Sequence, residues 1–333
     1  MTAESAGAPA VSLDTWGLDA PPEPGWRAFA RSLLRRKLAV LALCYIVVFY
    51  TTALFAPAIA PYSYQGSSKD LRKENVLQGP SARHWFGTDR LGRDMFSRVV
   101  YATRTTMLIT LATALTGGLF IGVGLGLLAG YRRGIVDSFI NRIGEALGSL
   151  PDLLLLLLLA ATIRPRLDTW IRNAYGWPLL GSWLKTGIAD IFFVFFALTL
   201  IDWVSEERLI RSQVLAIRQE PYVQAAESMG ASTSRILLQH VFPNIRHLVV
   251  LGVTTSFGAI ALSEIALTFF GLGVRAPTPS LGEMIFDGSG VRQVTAHPHL
   301  LLVPGTIAVL FFVSFALFGD ALNDVLNPRT RKF

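Results

Sequence analysis

Three stretches of this chain run without a charged side chain: Leu38–Ala60 for 23 residues, Thr105–Gly130 for 26 and Leu300–Gly319 for 20. A helix needs about 20 apolar residues to cross the hydrocarbon core of a bilayer. Backbone polar groups find no water there, so a spanning segment must satisfy them internally, as a helix does. The chain is therefore expected to be an all-α membrane protein. Composition agrees: 52% of the 333 residues are hydrophobic and 16% are charged, against about 25% charged in a soluble domain.

The formal net charge is +7. In a chain this apolar the excess is read as membrane anchoring rather than nucleic-acid binding. Arg31, Arg35, Arg36 and Lys37 stand just before the first run, where a cytoplasmic start is expected by the positive-inside rule. The single cysteine, Cys44, lies inside that run and excludes an intramolecular disulfide. The run is longer than the h-region of a cleavable signal, about 7–15 residues, and is expected to be retained.

Residues 1–26, rich in Pro, Gly and Ala, are expected to be a disordered cytoplasmic tail. Residues 27–104 then form an N-terminal segment with a surface helix, the first transmembrane helix (38–60) and an external loop. A core of 105–326 follows, and 327–333 is a basic cytoplasmic tail. Within the core, spans are expected at 105–130, 143–163, 187–204, 247–270 and 300–319. That gives six in all, with both termini cytoplasmic. Residues 164–186, with Pro165, Trp170, Trp177 and Trp183, are read as a polar interfacial loop.

Gly118, Gly122, Gly126 and Gly130 are spaced four apart. On a helix they form one face without side chains, against which a neighbouring helix can pack closely. Among the acids that fall in the expected spans are Asp152, Asp190 and Glu264. A charged side chain at mid-membrane costs about 2.5–3.5 kcal/mol on insertion scales, so each asks for a reason. Asp152 and Glu264 are candidates for a substrate pathway. A hydrogen bond to a neighbouring helix is the alternative for Glu264, and a shallow wetted position for Asp152. Asp190 is expected at the outer boundary.

Residues 205–246 are too patterned for a plain connector. An amphipathic stretch from Arg208 leads to Glu220 and Pro221, which can open a helix at its first turn. Tyr222, Val223, Gln224, Ala225 and Ala226 follow, and Gly230 suits a left-handed stop. Ser232 or Thr233 can cap a second helix, expected to end at Pro243. This is a helix, a glycine turn and a helix: a knob able to dock on another protein, with small residues at 225 and 226 for close approach. A helix pair resting on lipid headgroups is the alternative.

The segment Glu220-Pro-Tyr-Val-Gln-Ala-Ala-Glu-Ser-Met-Gly230, nine residues, then His240-Val-Phe-Pro-Asn244 resembles the EAA loop of ABC-importer permeases. Ala225, Ala226, Gly230 and Pro243 match in register. Gln224 stands in place of the first Glu, and His240 and Phe242 in place of Ile and Leu. Two further stretches resemble the dipeptide/oligopeptide/nickel branch, the C-type permease. One is Phe86-Gly87-Thr88-Asp89, then Gly92-Arg93-Asp94. The other is Gly271 to Ser280, preceded by Ser263-Glu264 and with Leu281 where Trp is usual. Gly319-Asp320 through Pro328-Arg329 matches as well.

The resemblance implies a type I ABC-importer permease fold with cytoplasmic coupling helices. It implies docking of Glu220, Tyr222, Gln224, Ala225, Ala226, Gly230, Pro243 and Asn244 on an ATPase subunit. It also implies a heterodimer with a homologous B-type permease, two ATPase subunits that bind ATP and Mg, an extracytoplasmic substrate-binding protein, and alternating access. None of the five lysines follows a glycine, so this chain has no G-x-x-x-x-G-K phosphate loop and is expected to be a transport subunit rather than an enzyme. Short peptides are the expected substrates, with nickel or oligosaccharides as alternatives. An ion-coupled secondary transporter would leave the knob without a task. A membrane enzyme is disfavoured because His297 and His299 lack the i,i+4 spacing of a helical metal pair.

Overall fold

The computed structural model describes residues 31–66, 76–174 and 187–326. The expected tails at 1–26 and 327–333, and Trp177 and Trp183, lie outside these. The described residues form helices α1 (Lys37–Leu54), α2 (Met95–Arg132), α3 (Gly134–Leu147), α4 (Asp152–Ala174), α5 (Ile188–Ile217), α6 (Pro221–Ser228), α7 (Thr233–Phe269), α8 (Leu281–Gly288), α9 (Val291–Ala296) and α10 (His299–Leu326). Five of them (α1, α2, α5, α7 and α10) are long and apolar enough to cross a membrane, and the bent pair α3–α4 makes a sixth candidate.

Several boundaries differ from the sequence expectation, each for a physical reason. The charged stretch 94–104 and the span at 105–130 are one helix, opened by Asp94, whose carboxylate accepts from Ser97 N at 2.8 Å. At about 1.5 Å per residue α2 is roughly 57 Å long, well beyond a hydrocarbon core of about 30 Å. Its middle, Ala114–Gly122, relaxes into a π-helical segment.

The span expected at 143–163 is broken instead: α3 and α4 meet at 85°. Gly148 and Pro151 lie in the break, and a proline disfavours helix in the residue before it. Residues 164–174, expected in a loop, continue α4 through Pro165. The span expected to stop at 204 runs on to Ile217, because Ile210 and Val214 continue its buried face. Pro243 does not end a helix. A turn of π-helix, Leu237–Val241, stands just before it, and α7 is helical from Thr233 to Phe269.

The helices α2, α5 and α7 form the centre. Ile109 and Ala114 of α2, Val194 and Leu198 of α5, Leu156 of α4 and Ile260 of α7 share one cluster. Val123, Ile210, Val214, Val241, Ile245 and Val249 share the next. On the flank α1 runs antiparallel to α10: Arg36 is paired with Asp324, and the Phe49 and Phe311 rings meet at 4.4 Å. The outer faces of α1, α5 and α10 leave Leu41, Val48, Phe192, Phe196 and Val309 exposed, as a lipid-facing bundle requires.

The glycine stripe resolves how α2 sits. A Cβ at Gly118 would meet Asp202 and Glu206, one at Gly122 Glu206 and Trp203, one at Gly126 Glu207 and Ile210, and one at Gly130 Arg211 and Val214. The partner of the stripe is therefore α5 of this same chain. The numbers rise together, so α2 and α5 run parallel. Between two parallel spans the chain has to return across the layer, and α3–α4 is the segment available to do so.

Candidate functional site

The helix and glycine turn predicted from sequence are present as α6 and the turn at Gly230. Glu220 is the N-cap of α6 in extended backbone, with Pro221 in the first turn. Gly230 is left-handed at φ +80°, and Ala231 N closes the turn onto Ala226 O at 3.1 Å. Ser232 holds the cap position of α7, although its hydroxyl makes no capping bond.

The register of α6 corrects the expectation that both alanines offer an open surface. Val223 and Ala226, three apart, face inward and are buried, while Tyr222, Gln224, Ala225 and Met229 face outward. Val223 packs among Ile210 and Val214 of α5, Val123 of α2 and Ile236 of α7. Gln224 Nε2 donates to Gln219 O at 3.1 Å, and Asn244 Nδ2 donates to Tyr222 Oη at 3.1 Å, joining α6 to α7. Pro243 is exposed beside it. Arg218 ties the end of α5 to the end of α2: Nη1 donates to Tyr131 O at 2.7 Å, and the guanidinium lies 5.0 Å from the centre of the Tyr131 ring. Arg211 grips Asp137 of α3 through two bonds, at 2.5 and 2.8 Å.

A cavity of about 390 Å³ opens where the α3–α4 bend faces α5 and α7. Asp152, at the start of α4, lines it, together with Asp202 and Glu206 of α5. Sequence reasoning missed Asp202 and Glu206. The signal was available as an acid pair at i,i+4, but the end assigned to the span at 204 left Glu206 outside it and so separated the pair. Glu264 is not among the lining residues. It is fully buried, and its two carboxylate oxygens accept from Thr106 Oγ1 at 3.1 Å and Thr268 Oγ1 at 3.3 Å. Asp190 accepts from Arg164 at 2.5 Å and from Arg275 N at 3.1 Å.

The Phe86–Asp94 motif sits at the opposite end of the bundle from α6 and is a buried clasp. Gly87 and Gly92 take φ +77° and +78°. Asp89 accepts from the backbone of Leu91 and Arg93, from Arg93 Nε at 2.6 Å and from Arg98 Nη1 at 2.7 Å. Arg98 then reaches Glu283 of α8 at 3.0 Å. Burial pushes the Glu283 carboxyl up, against the pull of Arg98. Asp94 also meets His84 Nδ1 at 2.9 Å, Thr88 Oγ1 accepts from Gln78 N, and Phe86 packs on the core. Breaking such a buried charge pair is far costlier than losing an exposed one, so the motif fixes the entrance of α2.

Residues 122–332 match the family model of the binding-protein-dependent transport system inner membrane component, and residues 25–80 match that of the N-terminal TM domain of oligopeptide transport permease C. The chain is 34% identical over 307 residues to the dipeptide transport system permease protein DppC of Alkalihalophilus pseudofirmus, covering 92% of this chain and 90% of the relative. It is 33% identical over 307 residues to the oligopeptide transport system permease protein OppC of Bacillus subtilis, with the same two coverages. It is 31% identical over 306 residues to the glutathione transport system permease protein GsiD of Pectobacterium atrosepticum, covering 92% of each.

Proposed function

Because this chain belongs to the family of binding-protein-dependent transport system inner membrane components, we propose that it is one permease subunit of an ATP-driven importer of short peptides. It forms half of the translocation path in the inner membrane and is driven by separate ATPase subunits that bind ATP and Mg. The relatives' names, covering dipeptide, oligopeptide and glutathione transport, support a short peptide over nickel or an oligosaccharide. A homologous B-type permease completes the path, and an extracytoplasmic binding protein delivers the substrate.

In this reading the chain crosses the membrane six times, α3–α4 being the return between the parallel α2 and α5. The end bearing α6 is cytoplasmic, together with both termini, and α6 with its glycine turn is the ATPase-coupling element. One observation carries the mechanical part. The inner face of α6 is cemented to α2, α5 and α7 through Val223, and α7 continues unbroken from the turn at Gly230 to Phe269. A displacement of α6 by a closing ATPase is therefore carried along rigid helices to the walls of the cavity, as alternating access requires.

The test is purification of the assembly from native membranes and its reconstitution with the binding protein. ATP-dependent accumulation of a labelled dipeptide is the expected result. Accumulation driven by an ion gradient without ATP would replace this reading with a secondary transporter.

Glu264 serves in this scheme as a brace between α2 and α7, while Asp152 stands on the route. Glu264→Gln keeps an oxygen for the threonine hydroxyls and is expected to leave uptake within about fivefold of the parent, the factor that corresponds to a single uncharged hydrogen bond of about 1 kcal/mol. A loss of uptake in that variant would assign the carboxylate to the pathway instead.

A further inference from the structure

The cavity beside the α3–α4 bend carries more than its shape. Glu206 is only 5% exposed, lines the cavity, and its Oε2 has no hydrogen-bond partner. Asp202, one turn earlier on the same face of α5, has its Oδ2 in the same condition. Glu206 is also held in a slot made for it. A Cβ at Gly252 of α7 would fall 2.8 Å from its Cδ, and one at Gly122 of α2 would fall 2.7 Å from its Cβ. Two glycines on two other helices thus leave room for this one carboxylate.

Buried carboxylates are costly unless something compensates them. Asp152 adds a third acid to the lining. The opposing charge is Arg208, whose Nη2 is turned to Gly144 O at 3.2 Å. Three carboxylates against one guanidinium leave the cavity formally negative. Among the described residues no three His, Cys, Asp or Glu side chains stand close enough to hold a metal ion, and the three acids, Asp152 on α4 and Asp202 and Glu206 on α5, line a cavity with room for an organic cation. The volume, about 390 Å³, lies within the range of small-ligand pockets, about 300–1,000 Å³.

We infer that this cavity is a station for an alkylammonium group of the substrate in transit, with Glu206 and Asp202 as the recognising groups and Asp152 at the mouth. The inference rests on the reading of the chain as a peptide permease. It adds a selectivity element inside the membrane subunit, beyond whatever the delivering protein selects. The ammonium can come from a peptide's amino terminus or from a lysine side chain, and the chemistry of recognition is the same.

The test uses the complete reconstituted assembly with Cys44→Ala, which removes the only native cysteine of this chain, and Ser256→Cys, which places a thiol in the cavity lining. Methanethiosulfonate reagents bearing either a trimethylammonium or a sulfonate group are applied, each rate normalised to that with free cysteine. A negatively charged cleft concentrates cations by about 10-fold or more, so the cationic reagent is expected to react about tenfold faster. Adding Asp202→Asn and Glu206→Gln should remove that preference. Equal rates for the two reagents in the parent, or a preference that survives both neutralisations, would overturn the inference.

Peptide protection then separates the sources. Slowing by both tri-alanine and Ala-Lys-Ala assigns the amino terminus, and slowing by Ala-Lys-Ala alone assigns the side chain. Slowing by neither, or equally by N-acetyl-tri-alanine, counts against the site. Uptake is measured in the same preparation, so an assembly that transports with ATP yet lacks the charge preference fails this inference alone.

Discussion

Deletion of residues 222–230 abolishes ATP-driven uptake while the chain remains in the membrane. The expectation follows from where the removed residues sit. The spans that hold the protein in the bilayer, α5 before the segment and α7 after it, are untouched, and both pack on α2 through the Ile210, Val214, Ile245 and Val249 cluster. What disappears is the outward face of Tyr222, Gln224, Ala225 and Met229, the last 82% exposed, together with the Val223 anchor that ties that face to the bundle. The deletion also shortens the link between α5 and α7, so a gentler variant accompanies it. Ala225→Arg adds bulk and charge on the outward face and leaves Val223 and Ala226 seated. It should give near-normal amounts of membrane protein, ATPase subunits that are lost on purification, and uptake reduced by at least about tenfold, the effect of some 1.4 kcal/mol lost from docking. Normal transport by the deletion variant would remove the lever from the mechanism.

The sequence made some of this legible and concealed the rest for identifiable reasons. The apolar runs at 38–60 and 300–319 were readable as helices, although α1 stops at Leu54 ahead of Pro57 and α10 runs on past Asp320 to Leu326. The end of α5 was hidden because Glu206, Glu207 and Arg208 look like the start of a loop. In the fold Glu206 and Glu207 are buried, and the Glu206 side chain is accommodated by Gly122 and Gly252 on helices far away in sequence. The bend at Gly148–Pro151 was masked by the strength of Leu153–Leu159, which made one span of two helices. The outward face of α6 needed the register of Val223 and Ala226 against α5 and α7, which no local pattern supplies. The glycine stripe was readable as a packing face, yet its partner was not, since a four-residue period says nothing about which helix approaches. The Phe86–Asp94 motif was recognisable by resemblance alone; its buried Asp89–Arg98–Glu283 chain depends on α8, almost two hundred residues away.

The stripe gives the second large effect. At Gly126 an added Cβ would lie 2.8 Å from Ile210 Cβ and 2.9 Å from Glu207 O, and at Gly130 2.7 Å from Val214 Cβ and 3.0 Å from Arg211 O. Two of these four neighbours are backbone oxygens, which cannot rotate away, and the β-carbons of branched side chains are nearly as fixed. Relief requires α5 to move off α2 along its length, and that would open the buried Ile210–Val214 cluster and unseat α6 with it. Overpacking a tight interior costs about 1–3 kcal/mol for added methylenes, and Gly126→Leu adds a whole side chain where the first carbon already collides. The variant is expected to accumulate poorly in the membrane and to lose uptake, with Gly126→Ala intermediate and lowered in thermal midpoint after detergent extraction. Gly124 supplies the control. It lies on the same helix, and a Cβ there meets nothing within 4 Å. Since Ala favours helix over Gly by about 1 kcal/mol, Gly124→Ala should be neutral or slightly stabilising. If Gly124→Leu and Gly126→Leu behaved alike, the close parallel seam between α2 and α5 would not exist, and the argument that α3–α4 returns across the membrane would fall with it.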